Sequence, residues 1–193
     1  MVHFTRRHFI QRSALLALLF PSLAAKASAQ SDTKTAHHIQ QWFFTSDDWV
    51  PNHPELPVMH IADASDSHQT LLSELEKTGW SKQWQGKPFS YLHFHSRTHV
   101  IFVVTAGSGE LRVGGNKGKT VLANVGDMIF LPAGTGQQHI SSTPDFAVSA
   151  CYLKGKSWDV CRSAINPETL QKVSMEKLNK GTRHFFSQQG AVI

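Results

Sequence analysis

His93-Phe94-His95 sets two imidazoles two residues apart. In an extended segment residues i and i+2 project to the same side, so both rings can reach one centre. Paired imidazole nitrogens are metal-ligand chemistry, provided a third protein ligand joins them. The same spacing also serves strands that only present polarity or hydrogen bonds. His99 is a single imidazole four residues beyond His95. It would act as acid or base near neutral pH if the turn from Ser96 to Thr98 aims it inward. Cys151 and Cys161 are the only thiols. A disulfide needs a turn between them, and two independent thiols is the simpler reading. Ser141 and Ser142 lack the surroundings of a nucleophile elbow, and Lys117, Lys119 and Arg112 read as a solvated face. His37 and His38 fall in a polar spacer, and His53 and His60 stand at strand ends as ordinary part-buried histidines.

The elements that would position these groups are mostly short strands. Trp42-Phe43-Phe44 and Leu56 to Ile61 read as strands flanking a turn-rich Asp47 to Pro54. A helix is predicted over residues 66–79, capped by Asp66 or Ser67, striped by Leu71, Leu72 and Leu75, and ended by Gly79. Beyond Trp80 the pattern alternates. Phe89, Tyr91, His93 and His95 share one face of a strand, with Ser90, Leu92 and Phe94 on the other. Val100 to Thr105 is a β-branched and aromatic run, expected to be buried because an exposed edge of that composition invites aggregation. Gly107-Ser108-Gly109 turns it into Glu110 to Val113, and Gly114 to Gly118 forms a hairpin loop. Asp127 to Leu131, Gln137 to Ser141 and Phe146 to Leu153 complete a set that argues a β-sandwich or barrel. Asn166 followed by Pro167 and Glu168 opens a helix in the tail. Trp80, Trp84 and Trp158 read as packing in the core or at the barrel end.

The order of motifs resembles the cupin superfamily, in particular its small single-domain bacterial members of uncharacterised function. Gly126, Pro132 six residues later and Gly134 match the second cupin motif, after His93-Phe94-His95-Ser96 and Gly107 in the first. Pro51-Asn52-His53-Pro54, Gly79-Trp80 with Trp84, Pro132-Ala133-Gly134-Thr135-Gly136 and Ser157-Trp158-Asp159 extend the likeness over residues 42–162. The resemblance implies an all-β fold, the double-stranded β-helix or jelly-roll barrel. One short helix precedes the barrel, and the C-terminal tail is helical or irregular. The implied metal site of three histidines and one glutamate is matched at His93 and His95 only. Its glutamate position falls on Val100 and its third histidine on Gln137. His139, sharing the face of Gln137, could supply the missing nitrogen. Such a set suits Zn, Cu or Ni better than Mn or Mg, and the site can equally have lost its metal. A homodimer is implied by the resemblance alone.

The N-terminus carries a different message. Thr5-Arg6-Arg7-His8-Phe9-Ile10 is a twin-arginine stretch, Ser13 to Ala25 is an apolar run too short for a permanent span, and Ala27-Ser28-Ala29 suits cleavage before Gln30. This predicts a signal peptide over residues 1–29, a spacer over 30–40, the barrel over 41–165 and an extension over 166–193. It also predicts the Tat translocase as a transient partner, periplasmic residence and no membrane anchor after cleavage. Arg6, Arg7, Arg12 and Lys26 leave with the signal and no acid does, so 19 basic against 14 acidic residues becomes 15 against 14. That near-neutral balance removes the electrostatic case for nucleic acid.

Three readings follow. A metal-dependent enzyme would use His93, His95, His139 or Gln137 as ligands and His99 as the catalytic acid or base on a small polar molecule. A metal-free barrel would capture or sense a small ligand in the same pocket. Metal storage or delivery would need no substrate. Stoichiometric metal in the isolated protein is the quantity that separates the second from the others.

Overall fold

The computed structural model describes residues 38–193. The predicted signal peptide and most of the spacer lie outside the described residues. Nine strands run as β1 (His38–Trp42), β2 (Val58–Ala62), β3 (Trp80–Gly86), β4 (Val100–Ala106), β5 (Ser108–Val113), β6 (Lys119–Asn124), β7 (Met128–Leu131), β8 (Gln137–Ser142) and β9 (Ala147–Leu153). Helix α1 (His68–Lys77) lies between β2 and β3, and α2 (Pro167–Met175) and α3 (Lys180–Gln188) follow the last strand. A six-stranded sheet of order β1-β2-β7-β4-β9-β3 faces a three-stranded sheet of order β6-β5-β8. This is the all-β barrel expected from the sequence. Two boundaries differ from expectation. The first strand begins at His38, inside the predicted spacer, because residues 38–42 pair with β2 in register. The helix runs over His68–Lys77, two residues shorter at each end than the predicted span 66–79.

The run from Val100 to Val104 is buried, as its composition requires, because β4 lies between β7 and β9. Its alternation divides the hydrophobic residues into two cores. Val100, Phe102 and Val104 face inward with Leu111, Val113, Val121, Val148 and Tyr152, filling the space between the sheets. Ile101 and Val103 face outward with Phe130, Trp80, Leu71, Leu75, Phe185 and Phe186, under α1 and α3. The six-stranded sheet is thus covered on both faces.

Local chemistry sets the helix ends. The Ser67 side chain accepts from the Thr70 amide to start α1, and Asn166 accepts from the Thr169 amide, with Pro167 behind it, to start α2. Asn179 caps α3 in the same way. That helix docks through the Trp80 indole, which donates to the Thr182 hydroxyl at 2.9 Å, and through buried Phe185 and Phe186.

Irregularities in pairing re-aim side chains. The β3–β9 register slips between Lys82 and Trp84. Trp80 therefore packs in the outer core while Trp84 packs against the inner one, where alternation alone would put both on one face. A second slip, between Glu110 and Leu111, opposes Leu111 to His139 and Val113 to Gln137. Leu111 and Val113 belong to the inner core, so Gln137 and His139 point into the barrel.

Asp127, of the Gly126-Asp127 turn, buckles the ends of β2, β6 and β7. Its carboxylate accepts from the His60 ring at 2.8 Å and from the amides of Asp63 at 3.0 Å and Asn124 at 2.9 Å. Burial pushes its pKa up, but the His60 and amide hydrogen bonds outweigh that and hold it below the ordinary value. Asp127→Ala is expected to cost about 3 kcal/mol in urea unfolding, since it strands three donors. A depressed carboxylate stabilises the fold fully above about pH 4 and loses that contribution as pH falls through its folded pKa. The variant's deficit should accordingly shrink below pH 4.

Candidate functional site

The segment His93–His95 is irregular, with single bridges in place of a full strand. It is stitched on one side by His93 N–H to Gln137 O (3.1 Å), Gln137 N–H to His93 O (2.8 Å) and Gly134 N–H to His95 O (2.7 Å). On the other side Phe94 and Cys161 exchange hydrogen bonds at 3.1 and 2.9 Å. The alternation predicted for it survives: Phe94 turns toward Trp49, and His93 and His95 share the opposite side with ring centroids 5.4 Å apart. Gly134 takes the left-handed conformation (φ +82°), and a Cβ there would stand 2.7 Å from Val173. Glycine at this position accommodates both the left-handed backbone and the close approach of Val173 from α2.

Asn52 clamps the same region. At φ +51° it donates to the carbonyls of Thr45 (2.7 Å) and Gly114 (2.9 Å) and accepts from the Gly136 amide (3.2 Å). It joins the N-terminal loop, the β5–β6 hairpin and the turn that leads into Gln137.

Both site histidines have defined tautomers. His93 Nδ1 donates to the Tyr91 carbonyl at 3.0 Å, and His95 Nδ1 donates to the Asp159 carbonyl. A carbonyl only accepts, so both Nδ1 atoms carry the proton and both Nε2 atoms present lone pairs. The His95 lone pair accepts from the Tyr152 hydroxyl at 3.2 Å, and Tyr152 in turn accepts from the Trp84 indole at 3.2 Å. Trp158 stacks on Tyr152, with centroids 5.5 Å apart and planes 14° apart, and meets the His95 ring edge-on. Asp159 itself is anchored by the Ser96 amide (2.7 Å) and hydroxyl (2.6 Å).

Gln137 lies directly opposite His93, so their side chains share a face. It is 3 % exposed, and its Oε1 is buried with no partner among the described residues. His139 stacks on Phe146 with centroids 5.7 Å apart, and its Nε2 is likewise buried and unpartnered. Burial is the main force pushing the His93 pKa down to about 4, and it lowers those of His95 and His139 too. These imidazoles are therefore neutral at neutral pH, and the nearby Arg162 guanidinium lies over the Tyr91 ring at 4.3 Å. The inner face offers acceptors at His93 Nε2 and Gln137 Oε1, with the Phe89 and Tyr91 rings against His93.

Two expectations need correction. His99 does not enter the barrel. It packs on Phe130 (5.6 Å) and beside His53 (5.9 Å), on the outer face of the large sheet. Strand alternation decides this: Val100 faces inward, so its neighbour faces outward. His99 Nδ1 accepts from the Ala133 amide at 2.9 Å and has no access to a ligand in the mouth. The metal set is also not assembled. His93, His95 and Gln137 come together, but among the described residues no three His, Cys, Asp or Glu side chains group closely enough to hold an ion. Val100 offers no donor, and His139 is turned onto Phe146. With the His95 lone pair engaged by Tyr152, one free imidazole and a neutral amide oxygen remain, short of three ligands. The residues do not fit the implied metal.

Sequence reasoning missed Tyr152, Trp84 and Asp159 as site residues. Asp159 stood in a quoted motif, whereas Tyr152 is one aromatic in an apolar run, and Trp84 reaches it only through a bulge. Cys151 and Cys161 are free thiols, the first in the outer core and the second donating to Asp159. A cleft of 610 Å³ also opens beside Ser96, Arg97, Lys156, Asp159, Cys161 and Glu176. Its charges answer one another, with Lys156 2.9 Å from Glu176 and Arg97 3.8 Å from Asp159, so it lacks the unpartnered polar atoms of the barrel mouth.

The family described as Cupin matches residues 86–172. The chain is also 34 % identical over 121 residues to the uncharacterized protein YjlB of Bacillus subtilis (strain 168), spanning 63 % of this chain and 73 % of that relative.

His99 carries a pH signature. Burial, with smaller contributions from His53 and Lys156, pushes its pKa down to about 3. The folded state keeps it neutral while the unfolded chain protonates it below about pH 6.5, so stability falls as pH drops through that value. Between pH 7 and pH 5 this one residue is expected to remove about 2 kcal/mol. Chemical unfolding of His99→Gln, whose amide oxygen can still accept from Ala133, should show a correspondingly flatter acid limb.

Proposed function

This chain belongs to the cupin family, and we propose that its barrel mouth captures a small, uncharged molecule rich in hydrogen-bond donors, with no metal between protein and ligand. The observation that carries this is the buried, unpartnered Gln137 Oε1 opposite the His93 Nε2 lone pair. A buried acceptor without a partner costs about 1–3 kcal/mol. That acceptor, beside the His93 Nε2 lone pair, selects a ligand that donates, such as an amide, alcohol or phenol. Burial keeps the inward-facing imidazoles neutral, and the Arg162 guanidinium beside them is already engaged over the Tyr91 ring at 4.3 Å, which favours an uncharged ligand.

A metal-dependent enzyme is the second reading. In its favour, both Nδ1 atoms are tied to main-chain carbonyls, the arrangement that orients ligating histidines. Against it stand Val100 at the carboxylate position and the Tyr152 hydroxyl on His95.

The place of action we propose is the periplasm. Arg6-Arg7, the apolar run and Ala27-Ser28-Ala29 favour export through the Tat translocase as a folded protein, with Gln30 as the mature N-terminus.

The test is thermal unfolding of wild type and Gln137→Leu with benzamide, benzyl alcohol and catechol as uncharged donors, and benzoate as the charged control. At least one uncharged donor is expected to raise the wild-type Tm, by about 2–8 °C for a gain of 1–2 kcal/mol at saturating probe. Gln137→Leu should weaken that probe roughly thirtyfold through loss of the amide acceptor. Equal responses in the two proteins, or a preference for benzoate, would sink the reading.

A further inference from the structure

We propose that the Tyr152 hydroxyl occupies the position in the hydrogen-bond network that a metal ion would take, and that this residue keeps the barrel mouth free of metal. The inference rests on the metal-free reading above and goes beyond it by assigning the exclusion to one side chain.

The polarity of the network leaves no alternative arrangement of protons. The Asp159 carbonyl at one end can only accept, and the Trp84 indole N–H at the other can only donate. Between them His95 has its proton on Nδ1, and Tyr152 takes the indole proton on its oxygen and gives its own to His95 Nε2 at 3.2 Å. The lone pair that an ion would use is consumed. Tyr152 is 1 % exposed and its ring is stacked under Trp158, so the hydroxyl is held where it is.

The register makes the exclusion complete. Val100 pairs directly with Tyr152 across β4 and β9 and contributes two methyl groups where a carboxylate would reach the same centre. His93 Nε2 and Gln137 Oε1 remain, one donor short of the usual minimum of three. Removing the phenol oxygen alone returns His95 Nε2 to the set and brings it to three. The structure therefore assigns Tyr152 as a specificity-determining residue that decides between an organic donor and an ion.

The experiment titrates the full chain with Co(II), followed by visible absorption, and with Zn(II) by competition. Wild type, Tyr152→Phe, Tyr152→Phe/His95→Ala and Trp84→Phe are compared. Tyr152→Phe keeps the stacked ring and is expected to bind one Co(II) per chain at least tenfold more tightly than wild type, with the gain abolished by His95→Ala. Trp84→Phe leaves the phenol in place and should gain nothing. Wild type binding one equivalent as tightly as Tyr152→Phe would overturn the proposal, as would a folded Tyr152→Phe with no gain. An equal gain in Trp84→Phe would overturn it too, by showing that general loosening suffices. Loss of the uncharged-donor response in wild type, with the Tyr152→Phe gain intact, would overturn the ligand reading alone.

Discussion

The Asp159 carbonyl can only accept a hydrogen bond, and the barrel mouth is organised back from it. The His95 proton must sit on Nδ1, its Nε2 must take a proton from elsewhere, and Tyr152 is the group in reach. Tyr152 can give that proton because its oxygen is fed by an indole N–H. Each member of the chain thus fixes the role of the next, and hydrogen bonds in a low-dielectric interior strengthen one another when aligned in this way. The loop that carries Asp159 is held in turn by Ser96, one residue beyond His95, and by the Phe94–Cys161 exchange. The site positions its own support.

A sheet covered on both faces imposes the second constraint. Because β4 has an inner and an outer core, each residue is committed to one of them by parity. His99 and Val100 illustrate the consequence. Moving an imidazole by one position along the strand exchanges a place in the barrel for a place among Phe130, His53 and the backbone of Ala133. His60 and Asp127 are likewise spent on structure. They close the ends of three strands with a buried, fully hydrogen-bonded pair.

Most of the fold was legible because it is written in local signals. The alternation of β-branched residues from Val100, the glycines at 107, 109, 114 and 118, and the caps at Ser67 and Asn166 each specify an element within a few residues. The two-residue spacing of His93 and His95, and of Gln137 and His139, placed all four side chains on the inner face. What stayed hidden depends on events between distant segments. The bulge near Gln83 re-aims Trp84, and nothing in Ser81-Lys82-Gln83-Trp84 announces it. Tyr152 acquires its role from pairing with Val100 some fifty residues away. Asn52 is a single polar residue in a loop until its side chain meets Gly114 and Gly136. The third metal ligand was sought at His139, which alternation does turn inward, but Phe146 lies where its ring stacks.

The missing carboxylate and the engaged His95 lone pair meet across one pair of strands. Val100 and Tyr152 occupy one rung of the β4–β9 ladder. A carboxylate at position 100, with no ion to neutralise it, would be a buried charge without a partner, a penalty of several kcal/mol. Valine removes that penalty and adds to the inner core. The His95 lone pair, with no ion to engage it, would be a buried acceptor left unsatisfied at about 1–3 kcal/mol. The Tyr152 hydroxyl satisfies it. Either residue alone would leave one of the two costs standing. His93 and Gln137 received no such internal partner, and they are the pair left facing the space where a ligand would sit.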